Sequence, residues 1–169
     1  MDETLFRLCN GAYGRAPPAW DFLGGNVAAV LLGLGVVLLM VLQRQARWLL
    51  AGALAVALTD PFCARVLKPA VERERPCATL EGVTGPRRGI GGPVHCGAGT
   101  SMPSNHAANT AALAAALASP SLAVVAGVSG LSRVVNGQHW PSDVAAGWAV
   151  GSAIGVAVRW AIKTAFGWP

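Results

Sequence analysis

From Phe22 to Leu42 the chain runs without a single charged residue. A helix needs about 20 apolar residues to cross a ~30 Å hydrocarbon layer. In that medium each backbone N–H and C=O must be paired within its own segment, so such a run is committed to a helix. A second run, Trp48 to Leu67, follows the polar turn Gln43-Arg44-Gln45-Ala46-Arg47 and carries Asp60 and Arg65 inside it. Composition agrees, since only 12% of the 169 residues are charged and 53% are hydrophobic. A soluble domain carries about 25% charge. The net charge of +5 forms no aromatic-interleaved basic stripe, which argues against a nucleic-acid partner.

Residues 73–102 form a Gly-, Pro- and Arg-rich loop too polar to span. Ser104–Ala118 and Leu122–Val135 are short apolar helices with a turn at Ser119-Pro120-Ser121. Pro141 opens a last helix in the favoured first-turn position, running to about Phe166. The expected fold is all-α: one domain over 1–169, an integral-membrane bundle of about five transmembrane helices in 20–169. Residues 1–19 hold Asp2, Glu3, Arg7, Asn10, Arg15 and Pro17-Pro18, too polar for a span or a cleavable leader. Leu5, Leu8 and Cys9 fall at helical spacing there, as in an interfacial amphipathic helix.

With five spans, three motif-bearing ends lie on one side. The opposite side carries Arg44, Arg47, Arg159 and Lys163 and no acidic residue, leaving nine of the 13 basic residues with the motifs. The acid-free side with short connections reads as cytoplasmic, which places the motifs outside. Spans three and four have about 14–15 residues, or roughly 22 Å. Their motif ends therefore stop near headgroup depth, where the phosphate of a lipid is met.

The motifs are Lys68-x6-Arg75-Pro76, Pro103-Ser104-Asn105-His106 and Ser132-Arg133-x5-His139-x3-Asp143. Lys68, Arg75 and Arg133 are cations of the kind that clamp the oxygens of a transferring phosphoryl group. Span-end snorkelling would explain any one of them, but not all three beside both histidines. Ser104 and Asn105 open a helix whose first-turn amides and positive dipole end favour an anion, and Ser104 adds a hydroxyl. His106 is placed to protonate a leaving oxygen. Asp143 lies one turn beyond His139. It orients the imidazole as a nucleophile, satisfies first-turn amides, or does both. Asp60, an intramembrane carboxylate before Pro61, either neutralises Arg65 or another cation of the site or makes a structural hydrogen bond at a kink. Cys77 and Cys96 flank the loop and are expected to bridge if it faces an oxidising compartment; the alternative is two free thiols. Cys9 and Cys63 read as packing residues. Cys77, His95 and Cys96 lack a fourth ligand for zinc, so no metal or other cofactor is expected. Gly147-x3-Gly151-x3-Gly155 makes a small-residue stripe suited to helix packing within the bundle.

These three segments resemble the signature of the type-2 phosphatidic acid phosphatase superfamily, integral-membrane lipid phosphatases that share a site with vanadium haloperoxidases. Every fixed position is present, and Asn105 stands where Gly or another small polar residue is common. The resemblance runs from about Trp20 to the C-terminus. It implies a metal-free helical bundle and a phosphohistidine intermediate, with His139 as nucleophile, Asp143 its orienter, His106 the acid, and Lys68, Arg75, Ser104, Asn105 and Arg133 around the phosphate. The leader Leu5-Phe6-Arg7-Leu8-Cys9-Asn10 and Asp21 resemble compact bacterial members that act on polyprenyl pyrophosphates. The implied partners are a membrane lipid phosphate and the bilayer of a bacterial inner membrane, with no required protein partner. The same site in a lipid phosphotransferase, a haloperoxidase or a non-catalytic lipid-binding protein are the competing expectations.

Overall fold

The computed structural model describes residues 1–15, 17–23, 31, 33–38, 46–87 and 94–167. It contains α1 (Asp2–Asn10), α2 (Pro17–Leu23), α3 (Ala46–Phe62), α4 (Lys68–Val71), α5 (Pro76–Thr79), α6 (Asn105–Leu117), α7 (Pro120–Val135) and α8 (Pro141–Phe166). Among the described residues the architecture is all-helical; the nearest thing to sheet is an isolated bridge between Arg87 and Val94. Most of the apolar run Phe22–Leu42, the turn residues Gln43–Gln45, Arg88 and Trp168 lie outside the described residues, although 33–38 are helical. Ala46 and Arg47, expected in the turn, already belong to α3.

Two local chemistries shape the segment leading to Lys68. Pro61 sits inside α3 and offers no N–H to the helical ladder. Just beyond it, Cys63–Leu67 form a π turn in which Lys68 N–H bonds Cys63 O, five residues back. The extra residue per turn shifts the helix phase before α4. Glu72, at φ 50°, then ends α4 in the left-handed region. At the other turn, Ala118 at φ 48° closes α6 and the Ser119 hydroxyl accepts Leu122 N–H at 3.3 Å. Pro120 therefore begins α7 rather than sitting in the turn, because a first-turn proline loses no helical hydrogen bond.

The alanine-rich α6 is the axis of the bundle, packed against α8, α3 and α7. Its contact with α8 is backbone-close. A Cβ at Gly147 would lie 2.6 Å from Ser104 O, one at Gly151 2.0 Å from Ala108 O, and one at Gly155 2.4 Å from Ala112 O. The glycine stripe thus serves packing inside the bundle. One apolar cluster joins Ala51, Ala55, Ala112, Ala116, Val158 and Ile162 across α3, α6 and α8. A second, at the motif end, joins Phe6, Ala107, Val134 and Val144.

Polarity is inverted relative to a soluble bundle. Ser101, Ser104, Ser132, Asn136, Gln138, His139 and Asp143 are buried, while Leu50, Leu54, Leu58, Val124, Leu131, Val156 and Trp160 are exposed. Trp48–Thr79 and Pro141–Phe166 are long and apolar enough to cross a membrane.

Residues 1–10 do more than present an amphipathic face. Leu5 and Leu8 point outward, and the docked face is Phe6 and Asn10. Phe6 is fully buried with its ring 5.5 Å from Trp140. Asn10 Nδ2 donates to Thr84 O and Val135 O at 2.6 and 2.7 Å.

Candidate active site

The site is assembled where the starts of α6 and α8, the end of α7 and the 73–102 loop meet. α7 ends at Val135, and Gly137 turns the chain at φ 73°. The Gln138 and His139 amides then both donate to Arg133 O, at 3.0 and 3.2 Å. This double bond ties His139 to the helix end that carries Arg133. Pro141 restarts the chain as α8 with Asp143 in its first turn.

Asp143 is wholly buried and its carboxylate is fully engaged. Oδ2 accepts Trp140 N–H at 2.8 Å and the Ser101 hydroxyl, and lies 3.5 Å from His139 Nδ1. Oδ1 accepts Arg73 Nη1 at 2.9 Å. The same oxygen thus faces both a first-turn amide and the imidazole. Ser101 Oγ also lies 3.4 Å from His139 Nδ1, so it fills the space between ring and carboxylate.

On the far side of the ring, Arg75 Nη1 donates to His139 Nε2 at 3.0 Å. A guanidinium has no lone pair to offer. Nε2 must therefore be the acceptor, and the ring proton sits on Nδ1, facing Asp143. That tautomer leaves the Nε2 lone pair directed at Arg75. Burial, together with the positive charges of Arg75 and Arg133, pushes the His139 pKa below its ordinary value despite the hydrogen bond to Asp143. The imidazole is thus held neutral.

The cations are set by backbone carbonyls. Arg75 also donates to Gln138 O at 2.9 Å, Gly99 O at 3.2 Å, Ala98 O at 3.3 Å and Thr100 O at 3.4 Å. Lys68 Nζ shares Thr100 O at 2.7 Å. The carbonyl-bearing strip follows Cys96, which is disulfide-bonded to Cys77, one residue after Arg75-Pro76. Gln138 completes the frame, accepting Gly97 N–H at 3.0 Å and donating to His95 O.

Ser104 N–H donates to Asp143 O at 3.0 Å, joining the starts of α6 and α8. Its hydroxyl is buried and has no hydrogen-bond partner among the described residues. An orphan donor at a helix N-terminus is what an anion would satisfy. Arg133 is within electrostatic reach of His106 and His139, and His106 is also within reach of Arg75, Asp60 and Lys68. Asn105 is turned elsewhere: its side chain donates to Asp60 Oδ1 at 3.0 Å, beside Asn109 at 2.8 Å. Any part Asn105 plays toward an anion falls to its backbone. Asp60 meets two amides of α6 rather than Arg65.

Sequence reading missed Arg73, Ser101, Ser142, Gln138 and Asp2. Arg73 had a signal, its position two residues before Arg75. Asp2 had none, being 140 residues from Ser142, whose amide it accepts at 3.1 Å. Trp140 donates to Glu74 O at 2.9 Å and stacks under Arg73, 5.0 Å from its ring centroid. Among the described residues no three His, Cys, Asp or Glu side chains gather as metal ligands would.

The fold and this constellation define an all-helical bundle with a buried histidine, a buried carboxylate and three cations gathered at one end. Residues 47–166 match the PAP2 superfamily, and the chain belongs to that family. It is 34% identical over 120 residues to the decaprenylphosphoryl-5-phosphoribose phosphatase of Mycobacterium tuberculosis; the match covers 69% of this chain and 62% of that relative. Its fold resembles LpxE of Aquifex aeolicus, with TM-score 0.63, 23% identity and 92% of each chain covered. It also resembles the transmembrane PAP2-type phosphatidylglycerolphosphate phosphatase of Bacillus subtilis, with TM-score 0.60, 20% identity, and 96% of this chain and 83% of that one covered.

Proposed function

We propose that this protein is a metal-independent lipid phosphatase working through a phosphohistidine. The observation that carries the reading is the buried Asp143–His139–Arg75 line, which holds a neutral imidazole with Nε2 directed at a cationic cradle. In the first step, a substrate phosphoryl group displaces the Arg75–Nε2 contact and is clamped by Arg75, Lys68, Arg133, Ser104 and the α6 amides. Nε2 attacks phosphorus, the bond to the lipid-side oxygen breaks, and His106 gives that oxygen its proton. Asp143 stabilises the positive charge left on the ring. In the second step water attacks the phosphohistidine, neutral His106 takes its proton, and inorganic phosphate leaves with His139 restored.

The apolar exterior and short α6 and α7 support a single membrane-embedded domain of about five spans, its site near headgroup depth. The Cys77–Cys96 bridge supports a site facing an oxidising compartment, the periplasmic side of a bacterial inner membrane. Outward Leu5 and Leu8 suit α1 to the interface. The substrate proposed is undecaprenyl pyrophosphate, hydrolysed to the monophosphate. A second reading, a polyprenyl-linked sugar phosphate, is favoured by the Mycobacterium tuberculosis relative.

The test is phosphate release by detergent-purified protein and His139→Ala on five lipids: undecaprenyl pyrophosphate, decaprenylphosphoryl-5-phosphoribose, phosphatidylglycerophosphate, phosphatidic acid and lipid A 1-phosphate. Turnover abolished in His139→Ala is expected, and the preferred lipid decides the substrate. Turnover unchanged in that variant would refute the mechanism. Release of phosphate to an added alcohol rather than to water would move the protein to the phosphotransferases.

A further inference from the structure

A row of side chains leads away from the nucleophile to the first helix. Arg73 binds Asp143 Oδ1 through Nη1 at 2.9 Å and Asp2 Oδ2 through Nη2 at 2.5 Å. Asp2 also accepts Ser142 N–H, at 3.1 Å, and the Ser142 hydroxyl, at 2.5 Å. Ser142 Oγ in turn accepts from Arg73 Nη1 at 2.5 Å. The guanidinium plane is backed by the Trp140 ring.

The placement has a chemical consequence. One oxygen of Asp143 serves His139, Ser101 and the Trp140 amide, and the other accepts from Arg73. Removing that hold frees the carboxylate to rotate away from Nδ1. An arginine given wholly to Asp143 would also drain the negative charge that must stabilise a phosphorylated imidazole. Asp2 shares the guanidinium, so the clamp fixes Asp143 without neutralising it.

We propose that Asp2 and Arg73 are positioning residues that act on the reaction through Asp143. The proposal rests on the reading of His139 as nucleophile. α1 is docked independently of Asp2, through buried Phe6 and the Asn10 bonds, so the pair can be broken without detaching the helix.

The experiment measures kcat and KM for Asp2→Asn and Arg73→Gln, alone and in an Asp143→Asn background, on whichever of the five lipids the wild-type protein hydrolyses fastest. Alone, each variant is expected to lower kcat about 10-fold or more with KM within about 2-fold, the pattern of a lost transition-state interaction. In the Asp143→Asn background neither should lower it further, since residues acting as a unit are non-additive. Glu3→Gln, which removes an exposed pair with Arg7, should leave kcat unchanged. The ring ¹⁵N shifts of His139, read without turnover, should move in Asp2→Asn and stay put in Glu3→Gln. Equal fold-losses in both backgrounds, wild-type kcat in Asp2→Asn, or unmoved ring shifts would each overturn the proposal. A wild-type protein inert on all lipids would instead overturn the reading of function, with the ring shifts still deciding the clamp. Should Arg73→Gln not fold, Asp2→Asn carries the test.

Discussion

Replacing Gly151 by alanine should damage the site without touching it. A Cβ there would sit 2.0 Å from Ala108 O and 2.8 Å from Ala108 C, both backbone atoms of α6. Ordinary contact begins near 3.4 Å, so α6 and α8 must separate by about 1.4 Å at this level. Alanine gains about 1 kcal/mol of helix propensity over glycine, but overpacking a rigid contact costs typically 1–3 kcal/mol. The net effect is destabilisation of up to about 2 kcal/mol. The larger consequence is on activity. α6 carries His106 and is preceded by its N-cap Ser104, α8 carries Asp143, and the two are joined by the 3.0 Å bond from Ser104 N–H to Asp143 O. A displacement of about 1 Å in catalytic geometry can cost about 10²-fold in rate. Thermal unfolding in detergent and lipid phosphate release measure the two effects. A Gly151→Ala protein with wild-type melting temperature and wild-type kcat would refute the assignment of the stripe to this contact. A control is Gly127→Ala, where an added Cβ meets nothing within 4 Å.

Ser104→Ala removes a buried hydroxyl that has no partner among the described residues. It should leave thermal stability unchanged or slightly raised, while kcat/KM falls about 10-fold, roughly 1.4 kcal/mol; a clear loss of stability with full activity would refute an anion-facing role. Cys77→Ser opens the bridge to Cys96, 19 residues away, and should cost about 2–4 kcal/mol. KM should rise as the carbonyls of 98–100 slacken around Arg75 and Lys68, and an unchanged KM would separate the bridge from the site. For pH, the sign follows from the depressed His139. Its unfolded form takes up a proton near pH 6.5 while the folded form resists, so stability falls as the solution is acidified below that value. Asp2 reinforces this at lower pH. Burial would raise its pKa, but bonds from Ser142 and Arg73 hold it below the ordinary value, and the stability it contributes is lost as pH drops through that lowered pKa. Melting temperature against pH reads both effects, and a flat acid limb would refute them. The rate should be bell-shaped, because His139 must be neutral and His106 protonated; a rate independent of pH would sink the two-histidine assignment.

Much of the site was legible because its parts are local in the chain. Arg133 and His139 are joined by a turn whose amides bond one carbonyl, and His139 and Asp143 by one further turn, so their spacing encodes their geometry. The helices were legible from apolar runs, with a small difference at the turn: Pro120, read as part of it, starts α7. What stayed hidden depends on contacts between distant segments. Asn105 was assigned to the anion by its place in the motif, yet Asp60 on α3 draws its side chain away. Nothing local in the chain announces that Trp140 is buttressed by Phe6 and Arg73.

The sequence by itself determined that the chain is helical, that its cations and histidines converge at one end, and which histidine has a carboxylate one turn away. Those features follow from periodicity and short spacing, which the backbone converts to geometry with little freedom. Only the tertiary structure decided which groups hold that histidine and carboxylate in place. Arg75 on Nε2, Ser101 on Asp143, and Asp2 reaching Arg73 and Ser142 from the first helix each bridge 38 or more residues. No local propensity encodes such pairings. They exist because burying polar groups at this end is tolerable only when each finds a partner, and packing decides which partners are within reach.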